Sequence, residues 1–210
     1  MNTQMTHNIS YCPAKLLSFI FHPLLIPLYG LAIMLTAPTY LEYLPQTVKR
    51  ILLITVLLNN VMIPLVMLPF LRIRNIISSY AMENRIERII PMVMVSVLYL
   101  ITSYIIYRFQ IPVIIKTFVF ACTFLAIAVT IVTFWWKISV HSMAMGSLTA
   151  MIFCLSFKTV TPLTWYIIGV VLAAGFVLSA RLRLGSHEPL QVWIGFLAGL
   201  AGLACFMLIF

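Results

Sequence analysis

This chain of 210 residues contains roughly seven long apolar stretches, one after another. The length of each is close to the about 20 residues that a helix needs to cross a bilayer. Backbone N–H and C=O groups in lipid must be hydrogen-bonded within the protein, so we expect these stretches to be helices. The alternation of apolar and polar residues that marks membrane β-barrels does not occur in the sequence. The sequence therefore predicts an all-α, polytopic transmembrane bundle of about six to seven helices, with spans near 16–37, 50–71, 91–108, 112–134, 142–157, 163–180 and 189–210.

The composition excludes an ordinary soluble domain. The chain is 63% hydrophobic and 8% charged, whereas soluble domains contain about 45–50% apolar and about 25% charged residues. No small-residue cleavage site follows the first stretch, so we interpret it as a retained helix that Pro23 and Pro27 bend. Apolar residues continue to the last position, and we expect one integral membrane domain over 1–210.

The charge pattern indicates a membrane partner rather than a nucleic acid. The net charge is +9, but the basic residues are spread over several loops and no nucleic-acid-binding motif occurs. Such a distribution fits anionic lipid headgroups. The four cysteines lack metal-ligand spacing, so we predict neither a metal site nor a disulfide; they are Cys12, Cys122, Cys154 and Cys205.

Polar residues concentrate in three connections, at 72–90, 135–142 and 181–191. These connections follow the second, fourth and sixth predicted spans, so two crossings separate each from the next. All three should therefore lie on one face of the membrane. The helices that follow them begin on that face, and helix N-termini carry free N–H groups and partial positive charge that favour an anion.

The third connection holds the strongest candidate site. Ionisable groups near lipid are costly and are candidates for function. Arg181 can hold a phosphate oxygen with its planar guanidinium. His187 opens the last helix after a break at Gly185, and Gln191 lies four residues later on the same helical face, within reach of the imidazole. This order favours an anion site with a histidine beside it.

Further basic residues share this face, and they favour a phosphate-bearing lipid headgroup as the ligand. Arg85 and Arg88, one helical turn apart, and Lys137 are candidate phosphate ligands, and Ser139 is a candidate ligand or helix cap. Each has an alternative. The arginines can pair with neighbouring glutamates on an exposed helix, and Lys137 can anchor the interface. Outside these connections, His22 is interpreted as a helix-contact residue.

The motifs resemble those of the type 2 phosphatidic acid phosphatase superfamily. That family carries Lys, six residues and Arg-Pro; then Pro-Ser-Gly-His; then Ser-Arg, five residues, His, three residues and Asp. Arg181 and His187 have the spacing of the third motif, and Ser139 and His141 match two residues of the second. The resemblance covers about 80–210, which would be the phosphatase-like core. Gln191 stands where the family has Asp, and the first motif lacks its Lys.

The resemblance implies a lipid-phosphatase-like fold and a two-step phosphoryl transfer without a cofactor or a metal. His187 would attack phosphorus to form a phosphohistidine, and His141 would protonate the leaving oxygen and then activate water. Gln191 would orient His187 but supply no negative charge. Arg181 and Ser139, which match motif residues, would bind the phosphate. From their place on the same face, and not from a motif match, we infer that Arg88, Arg85 and Lys137 would bind it too.

Three functions stay open from the sequence: a lipid phosphate or pyrophosphate phosphatase, an impaired relative that binds or translocates a phospholipid, and a structural membrane subunit. The resemblance implies a bacterial inner membrane with the site on its outer face. Conversely, about eight of the 13 Lys and Arg residues lie on the site face, which favours the cytoplasm. Gly195 and Gly199 give the last helix a small-residue face, which predicts close packing within the monomer or in a homodimer.

Overall fold

The computed structural model describes residues 13–80, 82 and 85–210, and this part of the chain forms eight helices and no strand. Six of the helices are long and apolar enough to cross a membrane. The predicted all-α transmembrane bundle is therefore confirmed. The helices are α1 (13–20), α2 (Ile26–Thr36), α3 (Gln46–Ile73), α4 (Arg85–Tyr107), α5 (Val113–Thr133), α6 (Val140–Thr159), α7 (Thr164–Arg183) and α8 (Pro189–Ile209), with a short 3₁₀ turn at Tyr40–Tyr43.

The first predicted span is not one bent helix, and that prediction was wrong. The chain leaves the helical conformation at 21–25, and α2 has only 11 residues, about 16 Å, which is too short to cross a bilayer. Pro23 explains the break, because it disfavours a helical conformation at the preceding residue and has no N–H to donate. Pro27 lies in the first turn of α2, where proline is tolerated. Because of this break, the side chain of His22 faces the interior of the bundle.

Helix α3 contains a wider π-helical turn at Leu57–Met62. Pro64 follows this turn, and it cannot donate the hydrogen bond that a regular helix would require. Asn60 lies in the wide turn, is buried, and accepts a hydrogen bond of 2.7 Å from the Thr102 hydroxyl. This bond joins α3 to α4 within the apolar region, where an unpaired amide would be costly.

Helix α6 lies at the centre of the bundle and packs against α2, α5, α7 and α8. Its contact with α8 is very close. A Cβ on Gly199 would overlap the backbone of Met143, and a Cβ on Gly146 would overlap the carbonyl of Phe196. The small-residue face of α8 is thus used within the monomer, and a homodimer through this helix stays a prediction.

We predict that Gly199→Ala lowers the thermal stability of the protein, because the added methyl group must push two backbones apart, at a cost of roughly 1–3 kcal/mol. Gly175→Ala is the matched control, since nothing lies within 4 Å of a Cβ at that position. Thermal unfolding of both variants in detergent measures the difference. Equal melting temperatures would contradict the close packing of α6 and α8.

Candidate functional site

The three polar connections meet at one cavity of about 300 Å³. The helices α4, α6 and α8 begin on this side of the bundle, as the alternation of spans predicts. Most of the cavity lining is apolar, but one group of residues carries His and Arg side chains: His22, Arg88, His141, Arg181 and His187. The structure therefore brings together four of the residues that the sequence singled out, and it adds His22.

His187 is positioned by the turn between α7 and α8. Gly185 has a φ of +60°, a left-handed conformation that favours glycine and ends α7. The His187 side chain is buried, and its Nδ1 lies 3.0 Å from Oε1 of Gln191. An amide oxygen only accepts hydrogen bonds, so Nδ1 carries the proton and Nε2 keeps its lone pair. Nε2 is therefore the ring nitrogen of His187 that can accept a hydrogen bond or act as a nucleophile.

Gln191 has a second partner, which gives a local reason for a glutamine at this position. Its side chain accepts a hydrogen bond from the N–H of Glu188, and the Glu188 carboxylate accepts one from the N–H of Gln191. This reciprocal pair is a capping box, which satisfies two free N–H groups at the start of α8. Glu188 thus faces the terminus of its own helix, while Gln191 joins that terminus to His187.

The environment of His187 keeps its imidazole neutral. Burial lowers the pKa of His187 to about 4, and the positive charges of Arg181, Arg88 and Lys137 act in the same direction. The hydrogen bond that Nδ1 of His187 donates to Gln191 opposes them and raises the pKa. At neutral pH the ring is therefore uncharged, and its lone pair is available.

Two arginines supply positive charge to the cavity. Arg88 lies in the first turn of α4, and its Nε donates a hydrogen bond of 2.7 Å to the carbonyl of Met82. Arg181 lies in the last turn of α7, and its buried Nε has no hydrogen-bond partner in the part of the chain that the structure describes. The charges of the two guanidinium groups repel each other. An anion between them would relieve this repulsion and supply the missing acceptor.

His141 lies in the first turn of α6 and contacts the N-terminal segment. Its Nε2 is 3.2 Å from the carbonyl oxygen of Ser18, and because a carbonyl only accepts, Nε2 carries the proton. The ring of His22 packs edge-on against that of His141, with 5.5 Å between centroids. Burial, followed by the charge of Arg181, lowers the pKa of His22. The sequence interpretation of His22 as a helix-contact residue missed its place in the cavity.

The other predicted phosphate ligands lie outside the cavity lining. Ser139 is fully buried and caps α6, where its hydroxyl accepts from the N–H of Ser142. Arg85 donates a hydrogen bond of 2.9 Å to the carbonyl of Phe134. Lys137 is close enough to His187 for its charge to affect that ring. As phosphate ligands, these three residues stay predictions.

The first polar connection folds over the cavity, where Tyr80 and Met82 contribute to the lining. Glu87 does not line the cavity, and its carboxylate accepts hydrogen bonds of 2.9 Å from both the backbone N–H and the hydroxyl of Ser78. Glu87 therefore does not supply the negative charge that Gln191 lacks.

No family model matches the sequence, no curated protein is significantly similar to it, and no solved structure matches it. Among residues 13–80, 82 and 85–210, no three His, Cys, Asp or Glu side chains form a group that could hold a metal ion. The polar groups of the cavity are chiefly His187, Arg88 and Arg181, and Gln191 contacts the His187 ring.

We predict that Gln191→Glu raises the pKa of His187 from about 4 towards its ordinary value. The substitution keeps the length of the side chain, and the new carboxylate stabilises the imidazolium form. Gln191→Leu removes the hydrogen bond and should lower the pKa instead. NMR titration of labelled histidine measures both shifts. An unchanged titration of His187 in the Glu variant would show that residue 191 does not contact the ring.

Proposed function

We propose that the protein is a membrane-embedded phosphatase that removes phosphate from a lipid phosphate or pyrophosphate through a phosphohistidine at His187. One observation carries this proposal. A neutral histidine, held by Gln191 with its Nε2 lone pair available, lies in the same cavity as two arginines. These are the nucleophile and the cations that phosphoryl transfer requires. The resemblance of Arg181, His187, Ser139 and His141 to the motifs of type 2 phosphatidic acid phosphatases agrees with it.

In the first step, Nε2 of His187 would attack phosphorus, and the bond from phosphorus to the lipid oxygen would break. His141 would first take up a proton as the phosphate group enters beside it and then, as an imidazolium, would donate that proton to the leaving oxygen. Arg181 and Arg88 would stabilise the charge on the equatorial phosphate oxygens. In the second step, His141 would accept a proton from water as the water oxygen attacks phosphorus. The nitrogen–phosphorus bond would then break, which releases inorganic phosphate and restores His187.

His141 must exchange a partner for this chemistry. Its Nε2 donates to the carbonyl of Ser18 in the structure, so substrate would have to replace that contact or approach the ring at Nδ1. Catalytic hydrogen bonds often form only in the substrate complex. In the first of these cases, the N-terminal segment around Ser18 and His22 would shift when substrate binds.

A lipid is the substrate class that best fits the surroundings of the cavity. Six helices in the described part of the chain can cross a membrane, and the cavity lies among them with a mostly apolar lining. A lipid can bring its phosphate to the cavity sideways, without leaving the bilayer. We place the protein in a bacterial inner membrane with the site on the outer face, as the resemblance implies.

A second function, binding or translocation of a phospholipid without turnover, is favoured by Gln191. A carboxylate at this position would stabilise the imidazolium that forms as His187 attacks, whereas an amide offers no charge. In the serine protease triad, a standard reference case, the corresponding Asp-to-Asn change costs about 10⁴ in rate. The capping box is also a sufficient reason for a glutamine at position 191, even if this residue has no catalytic role.

We predict that purified protein releases inorganic phosphate from lipid phosphates in detergent, and that His187→Asn abolishes the release. Arg181→Lys should reduce the rate by about 10²–10³, because a lysine cannot form the same paired hydrogen bonds. Arg183→Lys is the matched control. Arg183 lies in the same helix turn but is exposed and does not line the cavity. Release no greater than that of His187→Asn, across several lipid phosphates, would overturn the phosphatase function.

We also predict that Gln191→Glu increases phosphate release, because its carboxylate stabilises the charge that develops on His187. Glutamate is preferable to the shorter aspartate, since it can retain both the contact with His187 and the capping box. Steady-state kinetics of the folded variant provide the measurement. If the pKa of His187 rises but the rate does not, the absence of a carboxylate is not what limits catalysis.

A further inference from the structure

The cavity extends away from the arginines and histidines as an apolar channel along α4. Arg88, Met92, Val95 and Tyr99 all line it. Their spacings of four, three and four residues place them on one face of the helix. At 1.5 Å per residue, the stripe from Arg88 to Tyr99 is about 16 Å long. One continuous cavity thus runs from the cationic end deep into the bundle.

Two neighbouring helices line the channel in the same way. On α5, which runs in the opposite direction, Thr130, Ala126 and Cys122 follow each other at intervals of four residues. On α3, Leu71 lies towards the cationic end and Pro64 towards the other, next to the π-helical turn. The far ends of these stripes meet around Tyr99 and Cys122. Beyond the His and Arg residues, the lining is almost entirely apolar.

Building on the proposed function, we propose that this channel binds the apolar chain of the lipid phosphate and that Tyr99 and Cys122 limit the length of chain it accepts. A chain in the channel would leave its phosphate between Arg88 and Arg181. The channel length is close to half of the about 30 Å hydrocarbon core, the depth that one leaflet's chain spans.

The dimensions favour a substrate with one chain inside the protein. A volume of about 300 Å³ lies at the lower end of the range for ligand pockets. Two chains side by side would need a wider channel. The site should therefore prefer lipid phosphates that can place a single chain in the channel, and affinity should rise with chain length only until the chain reaches Tyr99 and Cys122.

Binding of single-chain alkyl phosphates of graded length, measured by calorimetry on the full-length protein, tests this inference. With wild type, each methylene that enters the channel from water should tighten binding about fourfold, up to a limiting length. Cys122→Phe fills the far end and should shift that limit to shorter chains. Cys205→Phe is the matched control, since Cys205 is exposed and does not line the cavity. Inorganic phosphate should bind equally well to all three proteins.

Tyr99→Leu provides a second test with the opposite sign, because a smaller side chain should shift the limit to longer chains. An unchanged limit in both variants, with phosphate binding intact, would overturn the channel and leave the proposed function standing. Alkyl alcohols separate the two ideas further. Inorganic phosphate could fail to bind while the alcohols still show the shifted chain-length limits in Cys122→Phe and Tyr99→Leu. That result would support the chain site and count against the proposed phosphatase.

Discussion

The close approach of α6 and α8 is the contact on which the rest of the candidate site depends. Gly146 and Gly199 carry no side chain at the points where the two backbones meet. Because lipid tails are as apolar as the side chains, helices in a membrane gain little from hydrophobic burial and rely on such tight packing. The backbone N–H of Ser139 donates to the carbonyl of Gln191 at the same seam. This register sets the start of α6, with His141, beside the start of α8, with His187.

The electrostatics of the cavity follow from this arrangement. The guanidinium groups of Arg88 and Arg181 line the same cavity as the neutral imidazole ring of His187. Like charges in a partly buried site raise the free energy of the unoccupied protein, and an anion lowers it. Gln191 joins the two parts of the site, since it caps α8 and orients His187 with one side chain. The residue at position 191 must therefore cap α8 in addition to any part that it takes in the chemistry of His187.

The break near Pro23 links the N-terminal segment to the same centre. A continuous first helix would carry His22 past the bundle, whereas the observed turn packs it against His141 and places Ser18 within hydrogen-bonding distance of that ring. On the other side of the cavity, the wide turn of α3 positions Pro64 in the lining. The two ends of the cavity thus each depend on an irregular stretch of helix associated with a proline.

The sequence by itself determined the six long helices and the face on which the polar connections lie, because span length and the number of crossings are properties of the chain order. It also determined the Arg181, His187 and Gln191 grouping, since their spacing places them in one turn and the helix that follows. Tertiary structure alone decided that Arg85 bonds to Phe134, that Ser139 is enclosed in its helix cap, and that His22 joins the cavity. Tertiary structure also determined that an apolar channel extends from Arg88 along α4. These outcomes depend on how each helix is rotated about its axis and which neighbour it meets, and only packing fixes those two quantities.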